Sequence, residues 1–391
     1  MKISDINIRI VKDSRNKDTL EAVLRSGDFE ASASVPAGKS KGKFETTTLE
    51  PSLVLSKFET IKNQILNKDF PTVWEFDGFL ISTDGTKEKS NLGGNLILVL
   101  SIAFTKLLAK SENLQCFQLI SKILGKTPRK FPYLYFNLIG GGLHAKDSLP
   151  FQEYILVTKF PSPAKGLEYA KNCFEKLQED IEKNFGEVRL GDEGALTIKS
   201  DDPRVGLQVL NRNATGPEVS LALDVAASTF FENRIYNLRG KIKSSDDLLS
   251  YYNLLATSYP LLSIEDPFSE DDKDGFIKIV ANLGEKIWII ADDLTVTNPD
   301  LINKAQKEKA ATGVIIKPNQ IGSVTETLEA IKLAQSYNWK VIISHRSGET
   351  MDSFIADLAY GVEADGLKSG APTQEVRLAK YNRLIEIERN F

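Results

Sequence analysis

Only two histidines occur in the 391-residue chain. One stands in "VIISHRSGET" (341–350), where an apolar run and a serine lead straight into His345, Arg346 and Ser347. A guanidinium fork beside a hydroxyl and an imidazole suits an anion, phosphate above all. Other apolar runs end in the same abrupt way: "LALD" (221–224), "LLSIED" (261–266), "IWIIADD" (287–293), "GVIIKP" (313–318) and "ADGLKSG" (364–370). They deliver Asp224, Glu265, Asp292, Lys317 and Lys368. Three carboxylates converging on one point repel unless a cation lies between them, and hard oxygen donors without cysteine favour Mg²⁺ over Zn²⁺. For any one of these acids a surface ion pair is the commoner role; the ordered set of three points to metal. A lysine beside a divalent cation has its pKa pushed down and can serve as a base. Taken alone, Lys317 reads equally well as a lysine snorkelling at a barrel rim.

Two loops add further groups. "NLIGGGLHAKDSLPFQEY" (137–154) carries His144, Gln152 and Glu153, and "RLGDEGALTI" (189–198) carries Asp192 and Glu193. A loop acid near a cation and a phosphate is a candidate proton donor. After "SHRSG", the apolar residues Met351, Phe354, Ile355, Leu358, Ala359 and Val362 follow a helical period. That predicts Ser347 and Gly348 just ahead of a helix N-terminus, where free N–H groups favour an anion. Metal, base, acid and phosphate pocket together suit proton abstraction next to a carboxylate.

Something must bring these residues together. From Asp224 to Lys368 they recur, after one longer first gap, at roughly 25–30 residues, the length of a strand, a loop and a crossover helix. Each sits at the C-terminal end of its strand, the edge at which a TIM-type barrel builds its active site. Upstream, 3–12 and 19–35 read as strands around a turn at 13–18, followed by helices near 50–68, 72–82, 91–111 and 115–124, an α+β arrangement. The stretch "VPAGKSKGKFE" (35–45) reads as a flexible loop and "GKTPRKFPY" (125–133) as a linker. The predicted architecture is α/β: an N-terminal α+β domain over 1–127, then a (β/α)8 barrel over 128–391.

Bulk properties narrow the classes. A net charge of −4 leaves no basic footprint for nucleic acid. The N-terminus alternates and is charged, unlike a signal peptide. Lys106 interrupts the most apolar run, 95–108, before it reaches the ~18 residues of a membrane span. Two cysteines are too few for a disulfide framework, which fits a reducing, cytoplasmic setting.

Over nearly its whole length the chain resembles the enolases (phosphopyruvate hydratases). "SIEDPF" (263–268), "ADDLTVTNP" (291–299), "KPNQIGSVTET" (317–327), "SHRSGETMDSFIADL" (344–358) and "GAPTQEVRLAKYN" (370–382) carry the resemblance. It implies an enolase-type modified TIM barrel whose second strand runs antiparallel, and reversible dehydration of 2-phosphoglycerate to phosphoenolpyruvate. It implies two Mg²⁺ per active site, with Asp224, Glu265 and Asp292 as ligands of the tighter one. Ser40 matches a mobile-loop serine that closes over substrate and helps bind the second. Lys317 resembles the base, Glu193 the acid with Glu153 beside it, and His144, Gln152 and His345 the pocket lining. Arg346 and Ser347 resemble phosphate contacts, and Lys368 the partner of the substrate carboxylate. A homodimer or an assembly of dimers is implied, with no nucleic acid partner. The chain departs from the family pattern where "DSRNKDT", "PAGKSKG" and "GDEGALTI" stand for DSRGNPT, PSGASTG and GDEGGFAP. The competing readings are an acid-sugar dehydratase or racemase of the same superfamily, and a non-catalytic enolase-like binding protein.

Overall fold

The computed structural model describes residues 1–39, 42–145 and 148–391. The expectation placed on Ser40 therefore lies outside the described residues, as does Lys41. Three strands, Asp5–Lys12, Asp18–Ser26 and Phe29–Ser34, open the chain as an antiparallel meander. Their alternation buries one face, with Ile6 opposite Leu24 and Ile8 opposite Ala22. The single strand predicted over 19–35 is in fact two. Gly27 and Asp28 make a two-residue turn with Gly27 at φ 56°, and Gly-Asp between alternating runs is a hairpin signal that the sequence reading passed over.

Helices follow at Pro51–Ile65, Val73–Asp84, Gly94–Ser111 and Cys116–Leu124, close to the predicted spans. Among the described residues, Gly94–Ser111 is the one helix long and apolar enough, by length and composition, to cross a membrane. Lys106 does not cut it short as expected. The helix is instead a core element, 78% buried, and Lys106 reaches sideways to Asp352 at 2.6 Å.

The rest of the chain closes a barrel of eight strands: Tyr133–Gly140, Glu153–Thr158, Val219–Asp224, Leu261–Glu265, Trp288–Ala291, Gly313–Ile316, Lys340–Ser344 and Gly366–Lys368. The eighth pairs with the first, Gly366 opposite Tyr133. Neighbours are parallel except the second strand, which runs antiparallel to both of its own. Helices Pro163–Phe185 and Arg204–Asn213 link strands two and three; strands three to seven are each followed by a crossover helix, and strand eight by the final helix, Glu375–Asn390. Local sequence starts them: Ser162, Asn298 and Ser323 accept the N–H groups of Lys165, Asp300 and Glu326, caps worth about 1 kcal/mol each. Pro163 and Pro299 sit in the first turn, where a missing N–H costs nothing.

Strand alternation also builds the site. Tyr135, Ile155, Val157, Ala222, Ile290, Ile315 and Ile342 fill the barrel interior. At Gly366 a Cβ would meet the Tyr135 ring at 2.8 Å, so that strand contributes no side chain to the plug. Two residues further along the same inward face stand Asp224, Asp292, Lys317, Ser344 and Lys368. On the reversed second strand, Glu153 lies two residues before Ile155. The apolar plug thus carries a charged ceiling at the C-terminal ends.

The two parts are tied where Asp77, fully buried, accepts the Thr325 N–H at 2.9 Å, at the start of helix Val324–Ser336. Burial pushes its carboxyl up to about 6, against the pull of Ser101 and Thr325. The folded form then binds a proton that the unfolded chain, near 3.8, has released, so this group's contribution to stability falls as pH rises from about 4 to about 6. The shift corresponds to roughly 3 kcal/mol. Asp77→Asn removes the ionisation, and we expect it to raise the urea midpoint at pH 8 while giving little at pH 4. Equal effects at both pH values would show that Asp77 stays ionised.

Candidate active site

Apart from Glu265, the described residues among those predicted line one cavity of about 60 Å³ at the C-terminal end of the barrel. Lys368 Nζ lies 2.7 Å from Glu265 Oε2, 3.0 Å from Asp224 Oδ2 and 3.1 Å from Glu153 Oε2. Lys317 Nζ is bonded to Asp292 Oδ2, and Gln320 Nε2 holds the other oxygen at 3.0 Å. Burial alone would lower both lysines, but the carboxylates win and hold each above the usual lysine range. The depression expected for Lys317 is therefore not supplied by the protein's own groups; it needs a cation that takes over Asp292.

Asp224, Glu265 and Asp292 are buried carboxylates of the type a hard cation takes, but as a set their oxygens are not gathered within 4.8 Å of one another. Glu265 Oε1 is a buried acceptor without a hydrogen-bond partner among the described residues, an atom an ion would satisfy. Burial, then Asp224, push Glu265 well above the usual carboxylate range. Among the described residues, Asp266, Asp292 and Asp293 do lie that close together, as do His144, Glu153 and Glu193. Asp266, at φ 40°, accepts the N–H groups of Asp292 and Asp293 at 2.8 and 3.0 Å and so aims Asp292.

Glu193 sits between the two histidines. His345 Nε2 lies 3.3 Å from its Oε2, and His144 Nδ1 lies 3.8 Å from Oε1 and 3.4 Å from Glu153 Oε1. Burial pushes His345 down to about 4, so at neutral pH it offers an N–H rather than a charge. Burial works against an ionised Glu193; the opposing pull comes first from charge on the His345 and His144 rings, then from Arg377, so a neutral His345 weakens that pull. Glu153 goes the other way: burial, with Glu193 and Asp224 adding repulsion, pushes it up despite Lys368.

The "SHRSG" segment departs from expectation. The helix after it begins only at Phe354, with Ser353 as its N-cap, and Met351 is exposed rather than on an apolar face. Ser347 and Gly348 therefore lie well ahead of the helix, and any anion contact falls to side chains. The loop is strapped to the N-terminal domain. Ser14 N–H donates to Glu349 O at 2.7 Å, and Ala37 and Gly348 exchange backbone bonds. Arg15 Nη1 reaches Ser347 Oγ at 3.2 Å, and a Cβ on Gly348 would run into Asp13 and Arg15. Arg346 donates to Glu45 Oε2 and Asn319 Oδ1, both at 3.1 Å. Lys39 bridges Leu143 O and Asp192 Oδ2, each at 2.7 Å, across the mouth. Gln152 Nε2 faces Asp224 Oδ2 at 3.4 Å.

The sequence reading missed Glu45, Asn137, Asp266, Gln320 and Arg377 as parts of the site. Asp266, Gln320 and Arg377 lie inside quoted motifs; Glu45 and Asn137 stand at the ends of quoted loops, where nothing local marks their contacts.

A closed barrel with a reversed second strand, a ring of acids and lysines on its C-terminal face and an α+β domain strapped over it defines a barrel enzyme for acid–base chemistry on an anionic substrate. Comparison with known proteins then narrows the class. Residues 3–120 match the family described as "Enolase, N-terminal domain", and residues 129–391 match "Enolase, C-terminal TIM barrel domain". The chain is 37% identical to "Enolase" of Anaplasma phagocytophilum over 100% of its length and 95% of the relative's. It is 37% identical to "Enolase" of Methanopyrus kandleri over 100% and 96%, and 36% identical to "Enolase B" of Dictyostelium discoideum over 100% and 95%. The chain belongs to the enolase family. Its activity is that of a phosphopyruvate hydratase, a glycolytic carbon–oxygen lyase, and its acidic groups suit a divalent metal.

Proposed function

We propose that Lys317 takes the C2 proton of 2-phosphoglycerate and that Glu193 protonates the departing C3 hydroxyl. The observation that carries this reading is the shared cavity in which Lys317 meets Asp292 while Glu193, on its loop, lies between His144 and His345. Asp224, Glu265 and Asp292 would hold Mg²⁺, with Ser40 at a second ion; when bound, the ions offset the charge that develops on the substrate carboxylate. Lys368 faces that carboxylate, and Arg346 and Ser347 face the phosphate. His144 and Gln152 line the pocket. Glu153 and Glu193 repel and titrate as a pair. Glu153 is the one of the pair pushed toward keeping a proton, and His144 Nδ1 stands between the two carboxyls, 3.4 Å from Glu153 and 3.8 Å from Glu193.

Hydroxide is a poor leaving group, so this acid matters to the rate. We further infer a boundary at 127/128 from the linker at 125–133, a cytoplasmic location from the sparse cysteines, and a homodimer or assembly of dimers from the family resemblance.

The test is the ultraviolet absorbance of phosphoenolpyruvate formed from 2-phosphoglycerate with Mg²⁺. EDTA should abolish the signal, and Glu193→Gln should lower kcat by roughly 10²–10⁴-fold. A wild-type protein that binds 2-phosphoglycerate but gives no product at any Mg²⁺ concentration would leave the non-catalytic binding protein as the reading.

A further inference from the structure

Arg377 is fully buried in the first turn of the C-terminal helix, Glu375–Asn390. Its guanidinium is spent on one loop. Nη1 lies 2.5 Å from His345 Nδ1 and 2.6 Å from Arg346 O, Nη2 lies 2.6 Å from Ser347 O, and Nε lies 3.2 Å from Gln374 Oε1. Arginine has only donors and stays charged in proteins. His345 Nδ1 must therefore be the acceptor. An imidazolium donates from both nitrogens, so this contact excludes it and leaves the neutral ring with its proton on Nε2. Flipping the ring would set a C–H against the guanidinium. Cε1 is also packed against Gly370, where an added Cβ would lie 3.1 Å away.

We propose that Arg377 is a positioning residue that fixes His345 as the neutral Nε2–H tautomer and thereby decides which oxygen of Glu193 carries its proton. Glu193 Oε2 faces two donors, His345 Nε2 at 3.3 Å and Asn137 Nδ2 at 3.3 Å. With both donors turned toward Oε2, the proton that Glu193 delivers is assigned to Oε1. That oxygen is the one turned toward His144, the group between Glu193 and Glu153. The guanidinium thus reaches the reaction through the histidine without touching substrate. The catalytic consequence rests on Glu193 being the acid; the tautomer does not.

The chain's two histidines make the experiment clean. Long-range ¹H–¹⁵N spectra of ¹⁵N-histidine-labelled protein report each ring's tautomer, with His144→Gln assigning the pair. The wild-type His345 ring should appear as Nε2–H near neutral pH. Arg377→Lys keeps a charge but cannot bond Nδ1 and two carbonyls together. It should mix the tautomers and lower kcat by on the order of 10- to 100-fold, the range for losing a group that orients a functional histidine, with KM changed much less. A wild-type ring found as Nδ1–H or as imidazolium overturns the proposal before any variant is made. So does an Arg377→Lys protein that keeps pure Nε2–H. A fall in kcat with an unchanged tautomer would assign Arg377 a structural role only. If Glu193→Gln stays active while the tautomer is as stated, it is the acid assignment that fails, not the tautomer.

Discussion

Lys317→Ala should lower kcat for 2-phosphoglycerate by on the order of 10⁴-fold, the upper range for a general base, while leaving the fold and metal affinity in place. Lys317 ends the sixth barrel strand on the inward face, and its amine is bonded to Asp292. Alanine removes the amine but leaves the isoleucine plug beneath it, with Ile315 and Ile342 unchanged. Asp292 keeps Gln320 as a donor at 3.0 Å. Isothermal titration with Mg²⁺ should therefore show an affinity at least equal to the wild type's, because a cation no longer competes with the lysine for Asp292. Activity within tenfold of wild type would remove Lys317 from the base role. A large loss accompanied by lost Mg²⁺ binding would point to disruption of the metal acids instead.

Lys368→Met should cost about 3–5 kcal/mol of stability in EDTA, the usual penalty for stranding buried charge. Lys368 is 2% exposed and is the cation shared by Asp224, Glu265 and Glu153. The deficit should shrink with Mg²⁺, since an ion bound only by the folded state adds about 2.7 kcal/mol at a hundred times its Kd. It should also shrink as pH falls. Glu153 and Glu265 already sit above their ordinary range; raised carboxyls bind protons more tightly folded than unfolded, so their effect on stability is most adverse at high pH. Urea unfolding of both proteins, with EDTA or Mg²⁺ at two pH values, reads each part. An equal deficit in EDTA and in Mg²⁺ would mean that the ion does not occupy these carboxylates.

Much of this site was legible before any coordinates. Asp224, Glu265, Asp292, Lys317 and Lys368 could be found because a parallel barrel repeats one signal, an apolar run ending in a charge, at crossover spacing. The loop after strand seven was not legible in the same way. The helical period includes Met351, whose side chain points to solvent, whereas Glu349 N–H bonds to Ser14 Oγ, Thr350 Oγ1 accepts from Ser34 Oγ and Asp352 Oδ2 accepts the Ser34 N–H, strapping the two domains together. Backbone bonds to Ser14 and Ala37, more than three hundred residues away in sequence, leave no local trace.

Sequence by itself determined the kind of residue at each strand end, the order of the elements and the chemistry that set of residues can perform. Those properties reside in period, spacing and residue type. Tertiary structure alone decided which groups neutralise one another: Lys368 among three acids, Glu45 on Arg346, Arg377 on His345. Protonation depends on burial and on neighbours within a few ångströms, and those neighbours come from opposite ends of the chain. For that reason the sequence could propose an acid and a base, but the direction in which each is shifted emerged only once the barrel closed.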